Sequence, residues 1–152
     1  MHRHHVDVYL LLKVFLKSIA REAAYLGDNH RDFLVGCAIL AYNGHEYGIF
    51  WGANFMPFTK PGPKICAEIN ALRNTRRAGF QEIIAIVVAG LPQKDEVTGK
   101  TPRTLPPCVD CRSNLSGWKG VSPDTMIYTV HRFEEVEEER TFAHLLEEYA
   151  LS

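Results

Sequence analysis

The spacing of apolar residues along the chain switches repeatedly between helical and strand-like, and the switches outline eight elements. Val6 to Leu26 carries a helical pattern that stops at Gly27, with Lys13, Lys17 and Arg21 at i, i+4 and i+8 forming one polar stripe on an otherwise buried helix. Gly27 to Asp32 reads as a polar turn. Phe33 to Tyr42 is an apolar run broken by Asn43-Gly44, a hairpin signal, and His45 to Asn54 returns as the partner strand. Phe55 to Lys64 holds three prolines and a glycine, so it reads as a loop that delivers Cys66 to the next helix, 65–78, closed by Gly79. Glu82 to Ala89 is a β-branched block expected of a strand buried on both faces. Cys108 to Gly117 predicts a short helix, Thr125 to His131 a strand, and Thr141 to Leu151 a last helix with Phe142, Leu145, Leu146 and Tyr149 on one face. The acidic run Glu134 to Glu139 reads as a solvated segment. The order α-β-β-α-β-α-β-α predicts a three-layer α/β/α domain with a mixed central sheet.

Composition narrows this to one compact domain spanning 1–152, since 152 residues at 46% hydrophobic content bury a core without dividing. The formal net charge is -1 and no basic cluster dominates, which argues against a nucleic-acid partner. The apolar run from Val6 to Leu16 is interrupted by Asp7 and Lys13 and is too short for a bilayer, so neither a signal peptide nor a membrane span is expected. His2, His4 and His5 read as a frayed, solvated terminus. Trp51 and Trp118 read as core or subunit contacts.

Chemistry concentrates in two stretches. Cys66-Ala67-Glu68 and Pro107-Cys108-Val109-Asp110-Cys111 together offer three thiolates and one carboxylate that need not be a ligand. A lone C-x-x-C is a weak signal, shared with redox motifs and zinc ribbons. A structural zinc site wants a fourth ligand at close spacing, and no such partner lies upstream; three ligands leave the fourth tetrahedral position of Zn²⁺ for water. Each half-motif opens a predicted helix, whose positive end favours thiolate over thiol. Cysteines committed to a metal make a disulfide framework the poorer reading and favour a reducing, cytoplasmic compartment. Cys37, the fourth cysteine, reads as a small apolar residue in a buried strand.

These stretches, with Phe33-Leu-Val-Gly-Cys-Ala and Gly52-Ala-Asn54, resemble the cytidine deaminase family in its small-subunit, three-cysteine form, and the cysteine and glutamate spacing is the zinc deaminase signature. The resemblance implies zinc held by Cys66, Cys108 and Cys111, with Glu68 as the proton shuttle of a hydrolytic deamination in which metal-activated water attacks the amine-bearing ring carbon. It places Phe33 beside the ring, Asn54 near a ribose hydroxyl and Ala67 at the substrate. It also implies a homotetramer whose neighbours help close each site. Two departures stand out. The family's arginine after the C-A-E glutamate is Ile69 here, which leaves Arg112 and Arg73 as candidates to offset the thiolate charge. The family's N-x-E sugar contact is Asn54-Phe55-Met56, and Phe58 to Pro63 is similar to a loop of the blasticidin S deaminase branch. The expected substrate is a small aminated pyrimidine-like base or nucleoside of cytidine or deoxycytidine type. A modified or non-nucleoside amine, such as a blasticidin S-like compound or a free base, is the alternative, and an RNA or DNA base editor is the least favoured. The loop from Gly90 to Pro107 is long enough to cap such a ligand.

Overall fold

A computed structural model of the chain describes residues 3–29, 33–56 and 65–150. His2, the polar turn beyond Asn29, the proline-rich loop at 57–64 and Leu151 lie outside the described residues. Among the described residues four helices form, α1 Arg3–Ala24, α2 Ala67–Arg77, α3 Val109–Ser116 and α4 Phe142–Glu148. The strands are β1 Asp28–Asn29, β2 Gly36–Tyr42, β3 Tyr47–Ala53, β4 Phe55–Met56, β5 Glu82–Gly90, β6 Met126–His131 and β7 Glu137–Thr141. The main sheet runs β3-β2-β5-β6-β7, with only the β5–β6 pair parallel, and β1 pairs with β4 in a separate two-residue ribbon. This is the mixed sheet expected from the pattern.

Alternation along the strands divides the core in two. Cys37, Ile39, Ile86, Val88 and Ile127 face Ala71, Leu72, Leu115, Phe142 and Leu145, so α2, α3 and α4 share one side of the sheet. Ala38, Leu40, Val87, Tyr128 and Val130 face Tyr9, Leu16 and Ala20 of α1 on the other. Each fully buried large aliphatic side chain here contributes about 1.5–3 kcal/mol of transfer free energy. A register shift between Leu40 and Ala41 leaves Ile84 without a partner on β2, and Ile84 and Ala85, adjacent in sequence, both pack in the α1 layer while Ile83 faces the other.

Local stops follow the sequence. After α2, the Phe80 N–H reaches the Thr75 carbonyl and the Gly79 N–H that of Arg76, with Gly79 at φ 85°, which is the Schellman arrangement. The Asn43-Gly44 turn joins β2 to β3 through a four-residue connection, where the Asn43 side-chain oxygen accepts the N–H groups of His45 and Glu46.

Four sequence expectations are corrected. Glu134–Glu139 is not simply a solvated run, because its second half is the edge strand β7. Its glutamates are matched from both sides: Lys13 pairs with Glu139 at 2.8 Å, Lys17 with Glu135 and Glu137 at 3.4 Å, and the Tyr128 hydroxyl donates to Glu137 at 2.6 Å. The basic stripe of α1 therefore docks on the sheet edge, while Leu11 at 81% and Val14 at 74% exposure show that the helix is not otherwise buried. His5 is also anchored and not frayed, since it is buried and bonds the Tyr47 hydroxyl at 2.6 Å and Glu82 at 2.9 Å. In α4, Phe142, Leu145 and Tyr149 are buried as expected, whereas Leu146 is exposed.

Gly36 is where α1 touches the sheet. A Cβ there would stand 2.0 Å from the Ala20 carbonyl oxygen and 2.4 Å from the Ala24 nitrogen, backbone atoms that cannot swing away. Gly36→Ala should lower stability by about 1–3 kcal/mol in denaturant unfolding, and an unchanged midpoint would contradict this packing. Glu137 offers a pH test. The Tyr128 hydroxyl and the nearby Lys17 and Lys13 outweigh burial and hold its carboxyl below the ordinary value of 4.5. As the solution is acidified the unfolded chain takes up this proton first, so the stabilisation is complete above that value and disappears as pH falls through the lowered one. Glu137→Gln should thus destabilise at neutral pH and converge on the parent protein in strong acid; a pH-independent gap would refute the pairing.

Candidate metal centre and cavity

The chain leaves β3 at Ala53, and the Phe55 and Ile65 backbones exchange two 2.9 Å hydrogen bonds, so the excursion between them returns to its starting point and delivers Cys66 beside the sheet. From there α2 is pressed onto the edge strand. A Cβ at Gly52 would lie 2.4 Å from the Ala71 nitrogen, and Asn70 and Asn74 donate to the outward carbonyls of Ala53 and Trp51 at 2.6 and 2.8 Å. These bonds satisfy a sheet edge and fix the start of α2 in the same stroke. On the other side, β5 ends at Gly90 against Leu105, and residues 91–108 lead back to the start of α3.

Both helices begin on a cysteine. Cys66 caps α2 and Cys108 caps α3, each with extended backbone and neither making a side-chain cap hydrogen bond. Cys111, one turn into α3, completes a cluster whose three sulfurs lie within 4.8 Å of one another, with Cys66 and Cys108 3.9 Å apart. Ligands about 2.3 Å from one tetrahedral Zn²⁺ sit about 3.8 Å apart, so the sulfur spacing fits that ion. Among the described residues the group has no fourth Cys, His, Asp or Glu ligand, which matches a centre with an open corner. The residues present therefore fit zinc, by donor type and by spacing.

As thiols, Cys66 and Cys111 hold their protons. Hydrogen bonding with Cys108 is the largest influence pushing Cys66 up to about 12; the bond with Cys111 works against it, while burial and the Glu68 charge add to it. Cys111 is driven up as well, by its bonds to Cys108 and Cys66 and then by burial. A dication supplies the opposite pull and draws the sulfurs into the thiolate form. The two helix N-termini favour that form too.

A cavity of about 50 Å³ opens over the cluster. Its floor is Cys66, Ala67, Glu68 and Cys108. Phe33, Val35 and Asn54 form one wall, and Gln93, Leu105 and Pro106 of the 91–108 segment form the other. Glu68, in the first turn of α2, is 4% exposed. A larger hollow of about 630 Å³ lies between α1 and β3, but its largely apolar lining holds a single carboxylate, Glu22, and no cysteine or histidine, so chemistry and not volume selects the smaller one.

The sequence candidates Phe33, Asn54, Ala67, Glu68, Cys66 and Cys108 thus meet at one cavity, with Cys111 buried in the sulfur cluster. Asn54 has a task within the protein: its side-chain oxygen accepts the Val35 N–H at 2.9 Å and its nitrogen donates to the Phe33 carbonyl at 2.6 Å. One N–H and one lone pair remain for a ligand. Arg112 is buried, and its Nη1 donates to Asp95 and to the Pro107 carbonyl, both at 2.9 Å. Arg73 is exposed on α2, and Ile69 packs against the core. The Arg112 charge is matched by Asp95, and the helix N-termini favour the thiolate form. Val35, Gln93, Leu105, Pro106 and Asp95 were not singled out from sequence; the last four lie in the long 90–107 loop, whose length was the only signal.

The family profile described as "Cytidine and deoxycytidylate deaminase zinc-binding region" matches residues 12–122. Among solved structures, the chain is similar to cytidine deaminase from Burkholderia pseudomallei, at 21% identity over 95% of this chain and 96% of that one, with a TM-score of 0.68. Cytidine deaminase from Mycobacterium tuberculosis shares 22% identity over 91% and 96% of the two chains, TM-score 0.61, and that from Mycobacterium leprae 23% over 87% and 94%, TM-score 0.60. No curated protein sequence matches. Three converging cysteines, a buried glutamate beside them and the matched profile lead to one assignment: the chain belongs to the cytidine and deoxycytidylate deaminase zinc-binding family, whose members are zinc-dependent deaminases.

Proposed function

We propose that the protein hydrolytically removes the exocyclic amine of a small pyrimidine-like base or nucleoside of the cytidine or deoxycytidine type. The observation that carries this reading is the joint floor of the cavity, where Glu68 and the sulfur cluster lie beneath a slot walled by Phe33, Val35 and Leu105. Cys66, Cys108 and Cys111 would hold the zinc, which when bound acts as a Lewis acid that brings the pKa of a water toward neutrality. Glu68 takes the proton of the attacking water on its carboxylate, passes it to the ring nitrogen, and transfers the second proton to the departing amine, which leaves as ammonia. Its burial keeps both transfers away from bulk solvent. Phe33, Val35 and Leu105 offer apolar faces to a flat ring, and Asn54 retains one donor and one acceptor to orient it.

One observation favours a second reading, a free base or other non-nucleoside amine. Asn54 is already bonded to two backbone groups, and two residues on the chain has Met56 where the resembled family has a carboxylate for the sugar. We further infer a homo-oligomer, supported by the exposed Leu10, Leu11, Val14 and Phe15 along one side of α1, a contiguous apolar surface of the kind that subunit contacts cover. A reducing, cytoplasmic setting suits a centre built from thiolates.

Glu68→Gln should retain zinc and fold but lose about 10²–10⁴-fold in turnover, measured as ammonia release from cytidine, deoxycytidine, cytosine and blasticidin S. Near-normal turnover by the variant would contradict the role given to Glu68. Activity of the parent protein on cytosine but not on either nucleoside would select the second reading.

A further inference from the structure

Segment 91–108 lines the cavity through Gln93, Leu105 and Pro106 without a helix or strand of its own, so something else must hold it in place. Two buried polar attachments do. Near its start, Asp95 Oδ2 organises a local turn by accepting the Val97 and Thr98 N–H groups and the Thr98 hydroxyl, while Asp95 Oδ1 faces Arg112. The Asp95 N–H also donates to the Lys100 carbonyl, closing the turn that Gly99 completes at φ 73°. Near its end, the Thr104 N–H and hydroxyl both donate to Glu138 of β7.

The first attachment reaches the metal ligands directly. Asp95 and Arg112 each retain 7% side-chain exposure, and the guanidinium lies over the Tyr149 ring, 4.8 Å from its centroid. The same Nη1 that meets Asp95 donates to the carbonyl of Pro107, the residue before Cys108. Arg112 itself follows Cys111 on α3. One nitrogen therefore ties the cavity wall to the peptide that presents Cys108 and to the helix turn that presents Cys111. Gln93, two residues before Asp95, is carried by the same attachment to the cavity rim.

We propose that Asp95 and Arg112 form a positioning pair that locks the 91–108 wall onto the start of α3, so that the sulfur geometry and the width of the cavity are set together. Neither residue touches substrate. The pairing deepens the zinc deaminase reading and, where it concerns the metal, rests on it. A buried charge pair broken on one side leaves an uncompensated charge, so the two residues act as a unit.

The test compares Asp95→Asn, Arg112→Met, Arg112→Lys and the Asp95→Asn/Arg112→Met double variant with the parent protein. Gly36→Ala, which loosens the opposite layer of the sheet, serves as a control for general destabilisation. Zn²⁺ affinity, measured by competition with a chromophoric chelator, should fall about 10–100-fold in Asp95→Asn and in Arg112→Met. The double variant should lose no more than the worse single one, Arg112→Lys should keep most of the affinity, and Gly36→Ala should leave it unchanged. On a substrate that turns over, KM should rise in Asp95→Asn by more than kcat falls. Hydrogen exchange across 91–108 should accelerate in Asp95→Asn and Arg112→Met whether or not zinc is added. Unaltered exchange in those variants, additive losses of affinity, or an equal loss in Gly36→Ala would overturn the proposal. A parent protein that binds no zinc would instead refute the reading of the site, and the exchange result alone would then decide whether the pair holds the wall.

Discussion

Two helices that start on cysteine and aim their first turns at one point are the constraint from which the rest of the architecture follows. The sulfurs of Cys66 and Cys108 are 3.9 Å apart although 42 positions separate them along the chain. Holding them there requires β3 and β5 to flank β2, α2 to lie tight against Gly52, and the chain after β5 to return to the sheet end before α3 begins. Crowding three sulfurs and a carboxylate raises the affinity of the thiols for protons, a cost that a dication converts into attraction. The strained electrostatics and the catalytic capacity thus have the same origin.

Polar side-chain bonds fasten the elements around the centre to one another. Asn70 and Asn74 fasten α2 to an edge strand, Asn54 ties Phe33 and Val35 together, and Asp95 and Arg112 tie the irregular wall to α3. Each uses a side chain to satisfy a backbone group or a charge. At the far edge, β7 is held by cations from α1 and by tyrosine hydroxyls, which lets a strand of glutamates close the sheet. The sheet edge and the segment that lines the cavity are linked through Glu138, which accepts the Thr104 N–H and also meets Arg140 at 3.4 Å.

Most of the layer order was legible in the sequence because it is written in local periodicity: the β-branched block of β5, the Asn43-Gly44 turn and the Gly79 stop each carry their own signal. The metal centre was legible for a different reason, since three cysteines and one glutamate at that spacing have few other uses. What escaped depended on partners remote in sequence. Glu134–Glu139 looks like a solvated run until Lys13, Lys17 and Tyr128 are brought beside it, and His5 looks frayed until Tyr47 and Glu82 arrive. Arg112 was one candidate to offset the thiolate charge, and its bonding to Asp95 and Pro107 depends on the path of a loop that no periodicity encodes. The exposed side of α1 was missed because an apolar helix pattern does not say which face another surface covers.

X-ray absorption at the zinc K-edge of the zinc-loaded protein tests the central claim most directly, because it counts the atoms around the ion. The account predicts three sulfur scatterers at about 2.3 Å and one lighter oxygen or nitrogen scatterer at about 2.0 Å. Four sulfurs, or a shell made only of light atoms, would contradict it.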